Sequence, residues 1–135
     1  MRVSAKVDYA LRAMLELAAA DGLVKGERLA TSQAIPQKFL ENILVELRKA
    51  ELVSSQRGVE GGYALGRPAA EISVADVIRA VEGPIATVRG VRPEQIQYEG
   101  VAVGLGQVWL DLRTAMRSVL EETTLAELTA KRSSG

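Results

Sequence analysis

Between Ser4 and Ala20, apolar residues recur at three- and four-residue steps: Val7, Leu11, Met14, Leu15 and Ala18. That spacing puts them on one face of a helix. Ser4 suits the N-cap, because its hydroxyl can accept from a free backbone N–H of the first turn. Asp21–Gly22 marks the stop. A short helix is expected over Glu27–Gln33, then a tight turn through Ala34 and Ile35. Pro36 suits the first position of the next helix, where its missing N–H would be unpaired anyway. That helix runs to about Ala50, with Leu40, Ile43, Leu44 and Leu47 as its buried stripe. Gln37, Lys38, Glu41, Asn42, Arg48 and Lys49 are left for its other sides.

The pattern then changes. Leu52–Gln56 reads as a strand and Gly62–Leu65 as its returning partner, which makes the glycine-rich stretch between them a hairpin tip. Ser73 and Asp76 form a capping box with Asp in place of Glu. It opens a helix with Val74, Val77, Ile78 and Val81 on one face, closed by Gly83–Pro84. Residues 85–104 have no period, and Gln95, Gln97 and Tyr98 there are expected to face water. A long helix follows over about Leu105–Glu122, with Leu105, Val108, Trp109, Leu112, Met116, Val119 and Leu120 along one face. Thr124 and Glu127 make another capping box for a short last helix, and residues 131–135 are expected to fray.

Helix, short helix, turn, helix and two-stranded hairpin is the order of a winged helix-turn-helix. The fold class is therefore mainly α with a small β-hairpin wing. In such a unit the second helix of the pair lies in the major groove and presents its N-terminal side chains to base edges. Gln37, Lys38, Phe39, Glu41 and Asn42 occupy that place. Gln or Asn can bond adenine, Lys guanine or phosphate, Glu can accept from cytosine, and Phe can touch a thymine methyl. At the wing, Gly58 and Gly62 let backbone approach backbone or take positive φ. Arg57 can enter a narrow minor groove, where the potential is most negative. Tyr63 can pack its ring on the wing base and offer its hydroxyl to a phosphate.

Composition narrows the chemistry. The 135 residues contain no cysteine and no histidine. Disulfides, thiolate zinc sites and cysteine-ligated iron–sulfur clusters lack their ligands, and the usual general base is missing. No serine sits beside an evident base, and Glu121–Glu122 read as solvated charge, so no enzyme activity is expected. No cofactor is expected either. No apolar run approaches the roughly 18 residues of a membrane span, and the first residues do not read as a signal peptide, so a cytoplasmic protein is expected. Net charge is zero. Residues 1–67 nevertheless hold ten basic and eight acidic groups, net +2, and the remainder seven and nine, net −2. Arg2, Lys6, Lys38, Arg48, Lys49, Arg57 and Arg67 are candidates to converge on one DNA-facing surface.

Three segments carry a family resemblance: MRVSAKVDYALRAMLELA, IPQKFLENILVELRKAELVSSQRGVEGGYAL and RPAAEISVADVIRAVEG. The chain resembles the Rrf-type family of bacterial transcription regulators, strongly over residues 1–83. The resemblance implies a homodimeric binder of double-stranded DNA. It divides the chain into a winged helix-turn-helix over 1–83, an irregular region over 84–104, and a dimerisation helix with a short last helix over 105–135. It implies that Arg57 reaches the minor groove and that contacts from the start of the recognition helix fall on Pro36, Phe39 and Glu41. Pro36 departs from the serine often found there. It also implies that Leu105, Val108, Trp109, Leu112, Met116 and Val119 pair with a second copy.

Cluster-bearing members place three cysteines within the region matching 85–104, and this chain has none there. Asp8 falls where some members use a carboxylate ligand, and it reads here as a surface charge. A cluster-free repressor is the expectation, with a small molecule or a partner protein as its signal. A winged-helix module that docks a metabolic enzyme or another protein is the alternative.

Overall fold

A computed structural model of the chain describes residues 2–131. Six helices and one hairpin follow in order: α1 (Ala5–Ala19), α2 (Gly26–Gln33), α3 (Gln37–Lys49), β1 (Val53–Gln56), β2 (Gly62–Leu65), α4 (Val74–Glu82), α5 (Leu105–Glu122) and α6 (Leu125–Ala130). The mainly helical architecture and the two-stranded wing agree with the sequence pattern. The fraying expected at the C-terminus falls, beyond Lys131, outside the described residues.

Helix α1 runs through the centre. The Ser4 hydroxyl accepts from the Val7 N–H at 3.1 Å, as an N-cap does. The buried face differs from the expected one. Val7, Ala10, Ala13, Met14 and Leu17 are buried, whereas Leu11, Leu15 and Ala18 are half-buried on the flank. Alanine has little apolar surface and so weighs little in a periodicity argument. Its small size lets neighbouring helices come close, and this puts Ala10 and Ala13 at the centre. Leu40, Ile43, Leu44 and Leu47 of α3 join the same core. Burying such a side chain contributes roughly 1.5–3 kcal/mol, so this stripe fixes the rotation of α3 about its axis.

Between α2 and α3, Ala34 adopts a left-handed conformation at φ 52° and ψ 46°. Ile35 is buried beyond it, and its N–H bonds Ala30 O at 2.9 Å. The Arg12 guanidinium donates to the Gln33 carbonyl at 2.7 Å and so satisfies the C-terminal end of α2. Pro36 is the N-cap of α3 rather than its first residue. Its ψ of 125° is extended, and its carbonyl accepts from Leu40 N–H at 3.0 Å. The one-residue shift follows from the left-handed turn, which reaches helical geometry only after Pro36.

Strands β1 and β2 are antiparallel, with Val53 opposite Leu65 and Gln56 opposite Gly62. Leu52 is buried but precedes the strand. Helix α4 opens on the expected capping box: Asp76 N–H donates to Ser73 Oγ at 3.0 Å and Ser73 N–H to Asp76 Oδ2 at 2.9 Å. Leu125, at the start of α6, is fully buried in the core that contains α1 and α3. The chain's last turns thereby close over its first helix.

Helix α5 has no buried residue. Its apolar positions form two stripes rather than one. Leu105, Val108, Leu112 and Val119 are exposed. Trp109, Met116 and Leu120 are half-buried, and Met116 and Leu120 share a crevice with Ile78 of α4 and Ile85. Residues 85–104 are irregular apart from short turns at Pro93–Gln95 and Gly100–Ala102. This region is clasped to α5. The Trp109 Nε1–H donates to Tyr98 Oη at 2.8 Å, so Tyr98 does not face water as expected; Gln95 and Gln97 do. The aromatic pair forms because Pro93 is buried and brings the segment back onto the helix. Arg113 pairs with Glu94. Glu94's own backbone and then the Arg113 guanidinium hold its carboxyl below the usual value.

Ser73→Ala should lower stability by about 1 kcal/mol, the usual loss for an N-cap hydroxyl. Urea denaturation should show a lower midpoint with an unchanged slope. An unaltered midpoint would mean that the capping box does not hold the start of α4.

Candidate nucleic-acid interface

The first turns of α3 and the wing face each other across an open cleft of about 330 Å³. Gln37, Glu41 and Arg48 line it from α3. Arg57, Gly58, Gly62 and Tyr63 line it from the wing. These seven candidates are thus brought together, although 26 residues separate the first from the last. Lys38, Phe39 and Asn42 are exposed on the same helix outside the cleft. The burial of Leu40, Ile43, Leu44 and Leu47 turns all of these polar positions outward.

Individual side chains differ in how free they are. Arg57 is exposed at the wing tip with no side-chain hydrogen bond or ion pair found for it among the described residues. Arg48 Nη1 donates to Ser55 Oγ at 3.2 Å, which points its guanidinium along β1. Lys6 pairs with Glu46 at 2.8 Å, so its charge is answered within the protein. Arg2 borders the crevice between α4 and α5 rather than the α3–wing cleft. Phe39 keeps 43% of its surface exposed while its ring and that of Tyr9 stand nearly perpendicular, at 82°, with centroids 5.6 Å apart. Arg12 lies over that same tyrosine at 4.9 Å. The exposed part of Phe39 remains available to an outside group. Pro36 is exposed beside it.

The wing is held by unusually close backbone contacts. A Cβ on Gly61 would lie 2.1 Å from Gln56 O, and one on Gly62 would lie 2.8 Å from Val24 O. Gly58 and Gly62 also have positive φ, 105° and 151°. Val24 pairs with Tyr63 through two backbone bonds of 2.9 and 2.8 Å, adding a one-residue third strand at the wing root. The Tyr63 ring is half-buried and its Cε2 lies 3.5 Å from where a Gly26 Cβ would be, so it packs on the start of α2. Lys25 was absent from the sequence-derived candidates. Its Nζ donates to Gly58 O at 3.1 Å, and it lines the cleft. Contact with a loop 33 residues away leaves no local pattern.

A helix packed through one stripe, with a polar N-terminal half turned outward beside an arginine-tipped wing, defines a winged helix-turn-helix DNA-binding transcription regulator, not an enzyme. The comparisons with known proteins agree. Residues 3–131 match the Rrf2 family model, described as an iron-dependent transcriptional regulator. The chain belongs to this family. It is 54% identical to a Mycobacterium tuberculosis (strain H37Rv) protein provisionally named an HTH-type transcriptional regulator, over 95% of this chain and 81% of that one. It is 35% identical to the HTH-type transcriptional regulator CymR of Bacillus subtilis, over 95% of this chain and 89% of that one. The solved structure of B. subtilis CymR, the global cysteine regulator, superposes with a TM-score of 0.83 at 32% identity, covering 98% and 99% of the two chains. IscR of T. potens superposes at 0.79 with 31% identity, covering 100% and 94%.

The family description raises iron, and the donor set does not fit it. This chain offers no thiolate and no imidazole. Among the described residues, no three Asp or Glu side chains cluster closely enough to hold a metal ion. Asp8 is exposed and pairs with Arg12 at 3.1 Å. Carboxylates are poor substitutes for the soft ligands of an iron–sulfur centre.

Gly61→Ala should cost about 1–3 kcal/mol, the range for forcing atoms into an overpacked site. Gly22→Ala, where nothing lies within 4 Å, should stay within about 0.5 kcal/mol. Thermal denaturation of both variants checks the contrast. Equal effects would mean that the wing backbone is not tightly packed at Gly61.

Proposed function

We propose that the chain is a sequence-specific, homodimeric repressor that works without an iron–sulfur cluster. The observation that carries this reading is the shared cleft between the start of α3 and the wing. Docked as a unit, the two read adjacent grooves. Gln37, Lys38, Glu41 and Asn42 face base edges in the major groove, and Phe39 offers an apolar edge to a thymine methyl. Arg57 enters the minor groove. Arg48, beside the wing strand, neutralises a phosphate at the side of the cleft. Lys6, bound to Glu46, and Arg2, on another side, contribute least.

The exposed stripe Leu105, Val108, Leu112 and Val119 supports pairing of two copies through α5. An apolar helix face of this length is costly to leave in water. Trp109 and Met116 take part from the edge, because part of each is used within the chain. Two-fold pairing presents two recognition helices, so half-sites should lie about 34–36 Å apart, one turn of DNA. Repression requires only that the bound dimer occupy a promoter. The protein would work in the cytoplasm, and no helix among the described residues is long and apolar enough to cross a membrane. The missing ligand set supports a cluster-free regulator, with a small molecule or a protein partner as the signal.

Selection of bound genomic fragments, followed by titration of the best one at two salt concentrations, tests the reading. A palindrome should be recovered, and its affinity should fall steeply with salt as phosphate contacts release counterions. Arg57→Ala should weaken binding about tenfold, and Glu41→Ala should relax preference at one base pair. Leu112→Asp should give monomers by sedimentation and lose the palindrome. Wild-type affinity in the Arg57 variant together with wild-type base preference in the Glu41 variant would overturn the docking.

A further inference from the structure

We propose that Lys25 is a positioning residue for DNA reading: it ties the wing tip to the start of α2, so that Arg57 meets the duplex in one orientation. This rests on the reading of α3 and the wing as the DNA face. The turn Arg57–Gly61 projects from the end of the hairpin, with Val59 94% exposed and Glu60 exposed. Gly58 sits at its corner with positive φ. A swing of its outer part, Gly58–Glu60, would meet little packing, whereas Gly61 is buried against Gln56.

Two contacts from one short segment oppose that swing. Val24 holds the wing root by its backbone pair with Tyr63. The next residue, Lys25, holds the tip by its Nζ on Gly58 O at 3.1 Å. The same carbonyl accepts the Gly61 N–H at 3.0 Å, the bond that closes the turn. Both of its lone pairs are therefore used, one within the turn and one to α2. Lys25 is itself the N-cap residue of α2; its ammonium is a donor only and cannot accept from the free N–H groups of the first turn, and it reaches across to the wing.

A charged donor makes the stronger kind of hydrogen bond to a carbonyl. This one is exposed, so its share of global stability is small. Its effect is local: it orders the tip before DNA arrives, and a pre-ordered loop loses less entropy on binding. Arg57 immediately precedes the tethered glycine, so fixing Gly58 O limits the directions its side chain can take.

The test uses Lys25→Met and Lys25→Arg, each alone and with Arg57→Ala. Backbone amide relaxation of the free protein should show lower order at Gly58, Val59 and Glu60 in the Met variant, and near wild-type order in the Arg variant. Melting temperatures should hardly move. Affinity for the selected fragment should drop about three- to tenfold in the Met variant, because the duplex must then order the tip itself. It should recover in the Arg variant. In the Arg57→Ala background the same change should cost less than about twofold, because a residue that acts through Arg57 has nothing left to position.

Three results overturn the proposal. Unchanged tip order means that no tie exists in solution. Equal losses in both backgrounds, with a salt slope reduced by about one, mean that Lys25 is a plain phosphate contact. If the wild type prefers no duplex over random DNA while tip order still depends on Lys25, the regulator reading fails and the tie has no DNA-reading purpose.

Discussion

The close approach of backbone to backbone where the wing turns is the constraint on which the proposed DNA face depends. Gly61 and Gly62 lie against Gln56 and Val24 at distances that leave no room for a side chain. That approach sets the pitch of the hairpin, and the pitch decides how far Arg57 stands from α3. A side chain at either glycine would open the cleft from its base. The one-residue strand at Val24 completes the arrangement, since it gives Tyr63 backbone partners on its second edge. The wing is thus joined to the segment that begins α2 as well as to the strand that follows α3.

Recognition helix and wing move together only if both rest on the same support. Helix α1 supplies it. Small residues at Ala10 and Ala13 allow close packing, and Met14 and Leu17 continue the face. The core stripe of α3, from Leu40 to Leu47, rests in the same cluster as Leu52 and Val53 at the base of the hairpin. The Lys6–Glu46 pair adds a polar tie between α1 and α3. The pair is half-buried, and the apolar contacts of α3 with the core fix how the two helices sit. On the far side Leu125 seals the core, and α5 projects with its apolar stripe outward.

The periodic parts of this structure were legible in the sequence because period and burial coincide there. The α3 stripe and the Ser73 capping box appear where the pattern puts them. The α1 face was misjudged where alanine replaces larger residues, since periodicity weighs side-chain size and packing does not. Pro36 was misplaced by one residue because the left-handed Ala34 is invisible to composition. Contacts across long sequence separations left no trace at all. Tyr98 with Trp109 and Lys25 with Gly58 become evident only when the backbone brings them together. Of the candidate site, the α3 and wing residues gather in one place, whereas Arg2 lies elsewhere and Lys6 is already engaged. Side-chain type identified the cations, but only the fold shows which of them have partners.

Family membership and ligand chemistry point in different directions on iron, and the residues present carry more weight for this chain. The wing is held by short contacts within the chain, the close backbone approaches at Gly61 and Gly62 and the Lys25 bond to Gly58 O. The most direct measurement is amide chemical-shift mapping as a duplex recovered by selection is added to the labelled protein. Shifts should concentrate at residues 37–42 and 57–62, with a smaller effect at 24–26 and little along the exposed stripe of α5. Shifts confined to α4 and α5, with α3 and the wing unmoved, would contradict the account.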